Sequence, residues 1–521
     1  MAFSTATARL ALSTACGACA FGLALAITEP AGPGLDPDAV SYVMAASTLV
    51  HDHALRAPTF TWATPTPTVP LAHFPPGFSA VIAIPIALGM SPVQGARLGL
   101  AAGALVATAA AAWIVAGAVG LWWGALAALL LVITPALVES HLAVLSEPLF
   151  LAMLVLALGA MTRQRDRPIV YGCLAAAACM MRYAGVSATA AVVLWALWSP
   201  GRGGSWRDAL RRAVIAGAPS VIVLGAWVFR SAGLEQSEIR AFGVYPDLGE
   251  TMRDGIATVA QWLAPAIALN ALRTGVALIA LLAVGALVVR VTRALERDRT
   301  AVDASHVLAS RVLAACGLLS ATYALTLIAA RLSADPNIPF DARLLSPIFV
   351  FATIAAAIAL AVWWRGAPRW GRIVACAAIA AWAVGSLLTS RDDVRYALDV
   401  GVDFADGDWR GSRLVEWARH EGRGRALFSN FPTALYFHAA REAWPLPATV
   451  KPEEVRAFTD SLVSRNGLIV AFTRPSEYVP PPEPLLRVLP VHAIATFREG
   501  AIWALDDSVT RRGARPAVPQ R

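Results

Sequence analysis

Two carboxylates, Asp38 and Glu147, each lie at the end of an apolar stretch of the chain. Asp38 belongs to the segment DPDAVSY at 36–42, just after the first apolar run, and Glu147 belongs to LSEPLF at 145–150, where another begins. A carboxylate beside a bilayer costs free energy unless it is paired or used, so both are candidates for function. Such a group could remove a proton from a hydroxyl as a general base. Because they are far apart in the chain, the pair indicates one polar site built at a membrane surface.

The composition is that of a polytopic membrane protein. Of the 521 residues, 57% are hydrophobic and 15% are charged, and the mean hydropathy is +0.59. Soluble domains are about 45–50% apolar and about 25% charged. The net charge is +8, but the arginines cluster in short segments between apolar runs, which fits the positive-inside rule better than nucleic-acid binding. We therefore predict a bilayer and no nucleic acid as partner.

Apolar runs predict about eleven transmembrane helices. They lie at 9–28, 95–118, 122–138, 148–162, 168–182, 183–199, 213–230, 273–290, 312–331, 344–364 and 372–390. With a cytoplasmic N-terminus, the arginine-rich segments at 163–167, 202–212, 290–299 and 365–372 all fall inside. The acidic loops at 29–94, 139–147, 231–272 and 332–343 fall outside, so Asp38 and Glu147 share the outer side. The first run could also be read as a signal peptide, but the rest of the topology needs it as a span.

The large outer loop 29–94 should contain interfacial helices. Its apolar stretch from Pro75 to Met90 is short for a span and contains Pro85, and counting it as a span would place the later arginine clusters outside. We predict an interfacial or re-entrant helix there. Asp38 and Tyr42, four residues apart, would share one face of a surface helix.

After residue 390 the pattern becomes that of a soluble domain. Strands are predicted at 425–429 and 468–472, a helix at 451–464 and closing strands within 494–505. The predicted organisation is a transmembrane domain at 1–390, an extracytoplasmic α/β domain at 391–507 and a disordered tail at 508–521. The six cysteines lie in apolar segments, so no disulfide framework is indicated.

Four blocks of sequence, in this order, resemble those of the GT-C glycosyltransferases, the broad group with the protein O-mannosyltransferases and the lipid A aminoarabinose transferases. The blocks are the acidic segment 36–42, the segment HFPPGF at 73–78 followed by ARL at 96–98, the segment LSEPLF at 145–150, and arginines at outer helix ends, Arg182, Arg230 and Arg343. The likeness covers roughly residues 5–390. The sequence departs from the pattern in three places. Pro37 separates acids that are often adjacent, the second block begins with Phe74 rather than Tyr, and Ser231 stands where Asn often follows the arginine.

The resemblance implies a GT-C fold of bacterial, family 39 type in the plasma membrane. It implies transfer of a hexosyl or pentosyl group from a polyprenyl-phosphate carrier to an acceptor hydroxyl on the outer face, the acceptor being a protein, a lipid or a glycan. The implied site comprises Asp38 or Asp36 as general base, Glu147 as a second acid, Arg182, Arg230 and Arg343 as phosphate ligands, and Tyr42, His73 and Phe74 in the substrate pocket. Arginine suits a phosphate because its donor fork is rigid and always charged. No cofactor is certain, although Asp38 and Glu147 could together bind a divalent cation.

Two other functions stay open on the sequence. A transporter or flippase for lipid-linked glycans would place acids within helices and show internal repeats, whereas these acids lie at helix ends. A non-catalytic membrane assembly protein would need none of the acids. No nucleotide-binding loop or zinc-protease motif is present in the sequence, which is consistent with a carrier-linked donor.

Overall fold

Helices make up most of the chain in the computed structural model, which describes residues 5–29, 32–163, 165–198, 205–234, 243–297, 304–334, 338–474 and 481–506. The predicted disordered tail lies outside these residues. The helices are α1 (Thr5–Ala26), α2 (Pro37–His51), α3 (Gly77–Ala87), α4 (Pro92–Val119), α5 (Leu121–Val132), α6 (Pro135–Leu142), α7 (Glu147–Met161), α8 (Pro168–Met181), α9 (Val186–Trp198), α10 (Trp206–Ala232), α11 (Gly249–Leu263), α12 (Asn270–Arg297), α13 (Ala304–Ser333), α14 (Ala342–Gly366), α15 (Arg369–Asp399), α16 (Gly407–Arg410), α17 (Arg413–His420), α18 (Pro432–Ala439), α19 (Pro452–Ser464) and α20 (Glu483–Val488). The strands are β1 (Arg56–Pro58), β2 (Thr68–Pro70), β3 (Leu427–Ser429), β4 (Trp444–Pro445), β5 (Leu468–Phe472), β6 (Val491–Phe497) and β7 (Gly500–Leu505).

Among the described residues, seven helices are long and apolar enough to cross a membrane: α1, α4, α10, α12, α13, α14 and α15. The pair α5 and α6, bent by 55°, adds an eighth if it is one span. Four shorter apolar helices are also present. Three of them, α7, α8 and α9, coincide with predicted spans, and the fourth, α3, coincides with the helix predicted to be interfacial or re-entrant. The chain is thus a helical membrane protein, and the count of about eleven spans stays a prediction.

The chain folds into two units. The first comprises residues 1–33, 72–233 and 239–399 and holds α1 and α3 to α15. The second comprises residues 34–71, 234–238 and 400–521 and holds α2, α16 to α20 and every strand of the described chain. Sequence analysis assigns 34–71 to the outer loop of the membrane domain, whereas its packing places it in the second unit. The predicted domain boundaries at 390 and 507 stay predictions, because packing does not test independent folding.

Proline begins many helices of the first unit. Pro92, Pro135, Pro148 and Pro168 each occupy one of the first two positions of α4, α6, α7 and α8. Proline is favoured there because the first backbone N–H groups of a helix have no partner within it, and the ring pre-sets the helical φ angle. These prolines therefore determine where the helices begin, including the turn that carries Glu147.

Small residues allow the helices of the first unit to approach closely, as is common in membranes. A β-carbon at Gly103 in α4 would lie 2.5 Å from the carbonyl carbon of Pro148 in α7. A β-carbon at Gly77, where α3 begins, would lie 2.5 Å from the carbonyl oxygen of Met180 near the end of α8. Gly103 thus contacts the backbone next to Glu147, and Gly77 contacts the backbone close to Arg182.

The C-terminal part of the second unit is a five-stranded mixed sheet in the order β4-β3-β5-β7-β6. Strand β3 pairs in parallel with β4 and β5, and β7 pairs antiparallel with β5 and β6. Phe428, Phe458, Leu462 and Ile469 form part of its core. The strands and the helix predicted from the sequence are confirmed, and the fold of this part is α/β as predicted.

The segment 34–71 joins this core through Trp62. Its ring packs edge-on against Phe458 with ring centroids 5.4 Å apart. The backbone carbonyl of Thr64 accepts hydrogen bonds from Trp444 Nε1 at 3.0 Å and from Arg465 Nη2 at 2.9 Å. Aromatic burial with satisfied polar tips is a large contribution to packing, so the part of this segment around Trp62 is anchored to the C-terminal sheet.

The close approach at Gly103 predicts a sensitive position. We expect Gly103→Ala to lower the free energy of unfolding by about 1–3 kcal/mol, the usual cost of overpacking, because the new methyl group would collide with the backbone at Pro148. Gly275 in α12 is the matched control, since nothing lies within 4 Å of a β-carbon there. Thermal unfolding of the purified protein in detergent measures both variants. Equal midpoints for the two alanine variants would contradict this account of α4–α7 packing.

Candidate active site

Glu147, the first residue of α7, is almost fully buried. It is 2% exposed, and neither carboxylate oxygen has an aligned hydrogen-bond donor in the described chain. An acid followed by proline is typical of a helix start, where the helix dipole favours negative charge. A buried charge without a partner is nevertheless costly, so this carboxylate requires a cation.

Two arginines supply the positive charge. Arg182 Nη1 lies 2.6 Å from Glu147 Oε1, and Arg343 Nε lies 3.4 Å from the same oxygen. These contacts are ion pairs by distance, but their angles do not meet hydrogen-bond geometry. Arg182 Nη1 also donates to Ser146 Oγ at 3.1 Å. The arginine side chains are 19% and 25% exposed while that of Glu147 is 3% exposed, so a buried carboxylate is paired with two partly exposed arginines.

A helix break positions Arg182. The residue follows the last turn of α8 in an extended conformation, with φ −151° and ψ 143°, and a single 3₁₀ turn (Tyr183–Gly185) then leads into α9. The peptide N–H of Arg182 still donates to the carbonyl of Ala178 at 3.0 Å. The position of the Arg182 side chain is therefore fixed by the end of α8 and the start of α9.

A helix start positions Arg343. Asp341 caps α14, with its Oδ1 accepting from the Leu344 N–H at 2.8 Å, as Asp commonly does at this position. Its other oxygen lies 3.8 Å from Arg343 Nε. Burial raises the pKa of Asp341, while the hydrogen bond from Leu344 and the charge of Arg343 oppose that rise. Arg343 thus stands between two carboxylates, one buried and one half-buried.

Tyr323 in α13 belongs to this cluster, although sequence analysis does not select it. It is 2% exposed, and its hydroxyl donates to the carbonyl of Leu344 at 2.8 Å. Its charged neighbours are Arg182, Glu147, Asp341 and Arg343. A lone tyrosine within an apolar span is the one sequence signal that could have indicated it, because a buried phenol needs a hydrogen-bond partner.

The chain just before the HFPPGF segment at 73–78 contacts Tyr183, the residue that follows Arg182. The Tyr183 hydroxyl donates to the carbonyl of Ala72 at 3.0 Å and accepts from Trp227 Nε1 at 3.0 Å. The block's His73 and Phe74 rings meet edge to face with centroids 4.8 Å apart, and Phe74 is buried. The Arg182–Tyr183 turn is therefore held by the backbone at Ala72.

Arg230, the third predicted phosphate ligand, lies over an aromatic ring. Its guanidinium carbon is 4.6 Å from the centre of the Trp227 ring, a cation–π distance. Trp227 in turn reaches Tyr183. The structure therefore connects Arg230 to the Arg182 turn through aromatic side chains, and its role toward phosphate stays a prediction.

The acidic segment of the second unit has a different geometry. Asp36 caps α2, and its Oδ1 accepts from the Ala39 N–H at 2.6 Å, while Asp38 is half-buried in the first turn and Tyr42 is buried one turn later. A capping carboxylate has one oxygen engaged by the helix, which favours Asp38 over Asp36 as a base. Asp38 and Glu147 lie in different units, and their predicted joint action stays a prediction.

The described residues contain no group of three or more His, Cys, Asp or Glu side chains placed to hold a metal ion. The divalent cation at Asp38 and Glu147 stays a prediction. The positive charge beside Glu147 is supplied by Arg182 and Arg343. A metal ion at this carboxylate would therefore have to bind next to two arginines.

The fold is similar to those of several solved proteins, including the following three. ArnT from Cupriavidus metallidurans bound to undecaprenyl phosphate matches with a TM-score of 0.57 at 13% identity, over 98% of this chain and 99% of that one. The arabinofuranosyltransferase AftD from Mycobacteria matches with a TM-score of 0.52 at 15% identity, over 97% of this chain and 40% of that one. The oligosaccharyltransferase of Archaeoglobus fulgidus in the apo form matches with a TM-score of 0.50 at 12% identity, over 87% of this chain and 69% of that one.

No protein-family model and no curated relative matches the sequence. At the low identity of the structural matches, what they establish is the fold. The GT-C fold predicted from the sequence is confirmed: this chain has the architecture of the GT-C membrane glycosyltransferases.

Proposed function

We propose that this protein is a membrane glycosyltransferase that moves a sugar from a polyprenyl-phosphate carrier to an acceptor hydroxyl on the extracytoplasmic face. The observation that carries the proposal is the pair of partly exposed arginines, Arg182 and Arg343, held on the buried carboxylate of Glu147. Undecaprenyl phosphate, bound in the similar ArnT structure, is an anionic lipid of the class that such a pair would bind.

The arginines would receive the leaving phosphate. In the transfer, the acceptor oxygen forms a bond to the anomeric carbon, the bond from that carbon to the phosphate oxygen breaks, and the electron pair leaves with the phosphate. Guanidinium groups stabilise this developing charge most strongly where water is restricted. Arg182 and Arg343 are assigned this role, with Arg230 as a further phosphate ligand.

Asp38 is assigned the role of general base. It would take the proton of the acceptor hydroxyl as that oxygen attacks. Glu147 is better suited to positioning than to proton transfer, because it is buried and both arginines contact one of its oxygens. His73, Phe74 and Tyr42 are assigned to the substrate pocket, as the resemblance implies.

The proposed location is the bacterial plasma membrane, with the N-terminus in the cytoplasm and the C-terminal domain outside. The arginine bias of the loops supports this orientation.

Asp38→Asn should lower the rate of transfer by about 10²–10⁴, the usual contribution of a general base. Donor affinity should change little, because the carboxylate faces the acceptor. Membranes containing each variant, supplied with a panel of radiolabelled polyprenyl-phosphate sugars, measure the rate as label released from the carrier. Asp36→Asn is the matched control and should keep most activity. Loss in Asp36→Asn with an active Asp38→Asn would reassign the base to Asp36.

Arg343→Ala should raise the Kd for undecaprenyl phosphate by about 10- to 150-fold, since a hydrogen bond to a charged group contributes about 1.5–3 kcal/mol. Arg253→Ala is the control, because Arg253 is an exposed arginine in a predicted outer loop. Binding of fluorescent undecaprenyl phosphate to the purified protein gives both values. Unchanged affinity in Arg343→Ala would remove this arginine from the phosphate site.

A double-mutant cycle tests whether Glu147 acts through the arginines. Glu147→Gln keeps the side-chain shape but removes the charge that holds Arg343, so its effect on undecaprenyl-phosphate binding should be non-additive with that of Arg343→Ala. The expected coupling is about 0.5–3 kcal/mol, as for residues in direct contact. Additive effects would show that Glu147 contributes independently of Arg343.

A further inference from the structure

A cavity of about 890 Å³ lies in the first unit at the far end of α7 from Glu147. Residues of α1, α4, α7, α8 and α13 line it, including Gly159 and Ala160 in the last turn of α7. At 1.5 Å per residue, α7 separates these residues from Glu147 by about 20 Å. The volume falls within the range of about 300–1,000 Å³ that is typical of small-molecule sites. In the predicted topology this end faces the cytoplasm.

Most of the wall is aliphatic. Its large apolar side chains include Leu105, Trp113, Ile114, Leu156, Leu174 and Leu308. Such a surface between transmembrane helices favours a hydrocarbon chain over water, because burying apolar area is favourable in proportion to that area.

The polar part of the wall carries one sign of charge. Arg9, Arg163 and Arg311 line the cavity, and no acidic side chain is among the lining residues of the described chain. Arg311 Nη1 donates to the carbonyl of Arg163 at 3.2 Å, which brings two of the arginine-bearing segments together. The site therefore differs from the cluster at Glu147, where a buried carboxylate offsets the arginines.

Two buried polar atoms of residues at the cavity have no hydrogen-bond partner within the described chain. Arg9 is held by a hydrogen bond from Nη2 to the Trp113 carbonyl at 3.0 Å and by its position 4.2 Å from the Trp113 ring centre, yet its Nε is buried without a hydrogen bond. Ser13, one helical turn later, is 5% exposed, and its hydroxyl is also unpartnered. Buried polar atoms are nearly always satisfied, so each such exception requires an explanation. Both atoms are closed to solvent, so Arg9 and Ser13 meet the cavity through their other atoms.

We propose that this cavity binds an anionic phospholipid, with its phosphate at the arginines and one acyl chain along the aliphatic wall. Arginine matches phosphate geometry and charge, and the wall matches the chain. A zwitterionic lipid fits less well, because its ammonium group would meet a lining that carries only positive charge. The site is independent of the proposed transferase reaction, since it involves none of the residues assigned to that reaction.

Native mass spectrometry of the full-length protein in detergent tests this proposal with phosphatidylglycerol and phosphatidylcholine as probes. The wild type should retain phosphatidylglycerol at least about tenfold better than phosphatidylcholine, the scale of one charge-assisted hydrogen bond. The variant Arg163→Ala/Arg311→Ala should lose most of this preference. Ala110→Phe, which fills the cavity without changing its charge, should reduce retention of phosphatidylglycerol as well.

The control is Arg293→Ala, which removes an exposed arginine of α12 on the same predicted side, away from the cavity lining. It should retain phosphatidylglycerol like the wild type. Equal retention of the two lipids, or equal loss in the Arg293→Ala control, would overturn the proposal in favour of general lipid association. Full competition by inorganic phosphate would overturn it as well, because a free anion would then suffice. Thermal unfolding of each variant identifies any that fails to fold. If the double arginine variant does not fold, Ala110→Phe still tests the proposal, because it leaves the arginines in place.

Discussion

The burial of one carboxylate constrains the candidate site. Glu147 is 2% exposed among apolar helices, where an uncompensated charge would cost several kcal/mol. The compensation comes from Arg182 and Arg343, which reach the same oxygen from the end of α8 and the start of α14. Three helix ends must therefore meet at one point, and this requirement explains why the break between α8 and α9 lies beside Glu147.

Helix breaks and close approaches satisfy that requirement. The chain leaves α8 at Arg182 in an extended conformation and turns once before α9. Gly77 and Gly103 bring α3 and α4 against the backbone beside Arg182 and Glu147. The Tyr183 and Tyr323 hydroxyls donate to backbone carbonyls beside the site. Irregular backbone near a membrane is stable only where protein groups satisfy its polar atoms, and these tyrosines provide such partners.

The two ends of α7 use arginine in different ways. At its start, Arg182 and Arg343 share a buried acid, so their positions are fixed and their net charge is reduced. At its end, Arg9, Arg163 and Arg311 line a cavity without an acid among the described lining residues. The first arrangement suits a reacting phosphate that must be oriented, and the second suits a resident anion that supplies the missing charge.

Much of the architecture could be predicted because its signals are local. Apolar runs indicate the helices, proline marks their starts, and short runs rich in strand-forming residues indicate β5 and β7. Charged residues such as Glu147, Arg182 and Arg343 stand out in an apolar sequence, so the candidate residues could be chosen before any contact was known. The resemblance carried by the four blocks then predicted the GT-C fold, which the structural matches confirm.

The contacts between distant segments depended on tertiary structure. Nothing local shows that Arg182 and Arg343 share Glu147 Oε1, that Tyr323 supports Leu344, or that Trp62 draws residues 34–71 into the second unit. The cavity at Arg9 is likewise built from five helices that are far apart in the chain. Periodicity reports which face of a helix is apolar, but the partner of that face is selected by the packing of the whole chain, so these pairings became visible only in the folded protein.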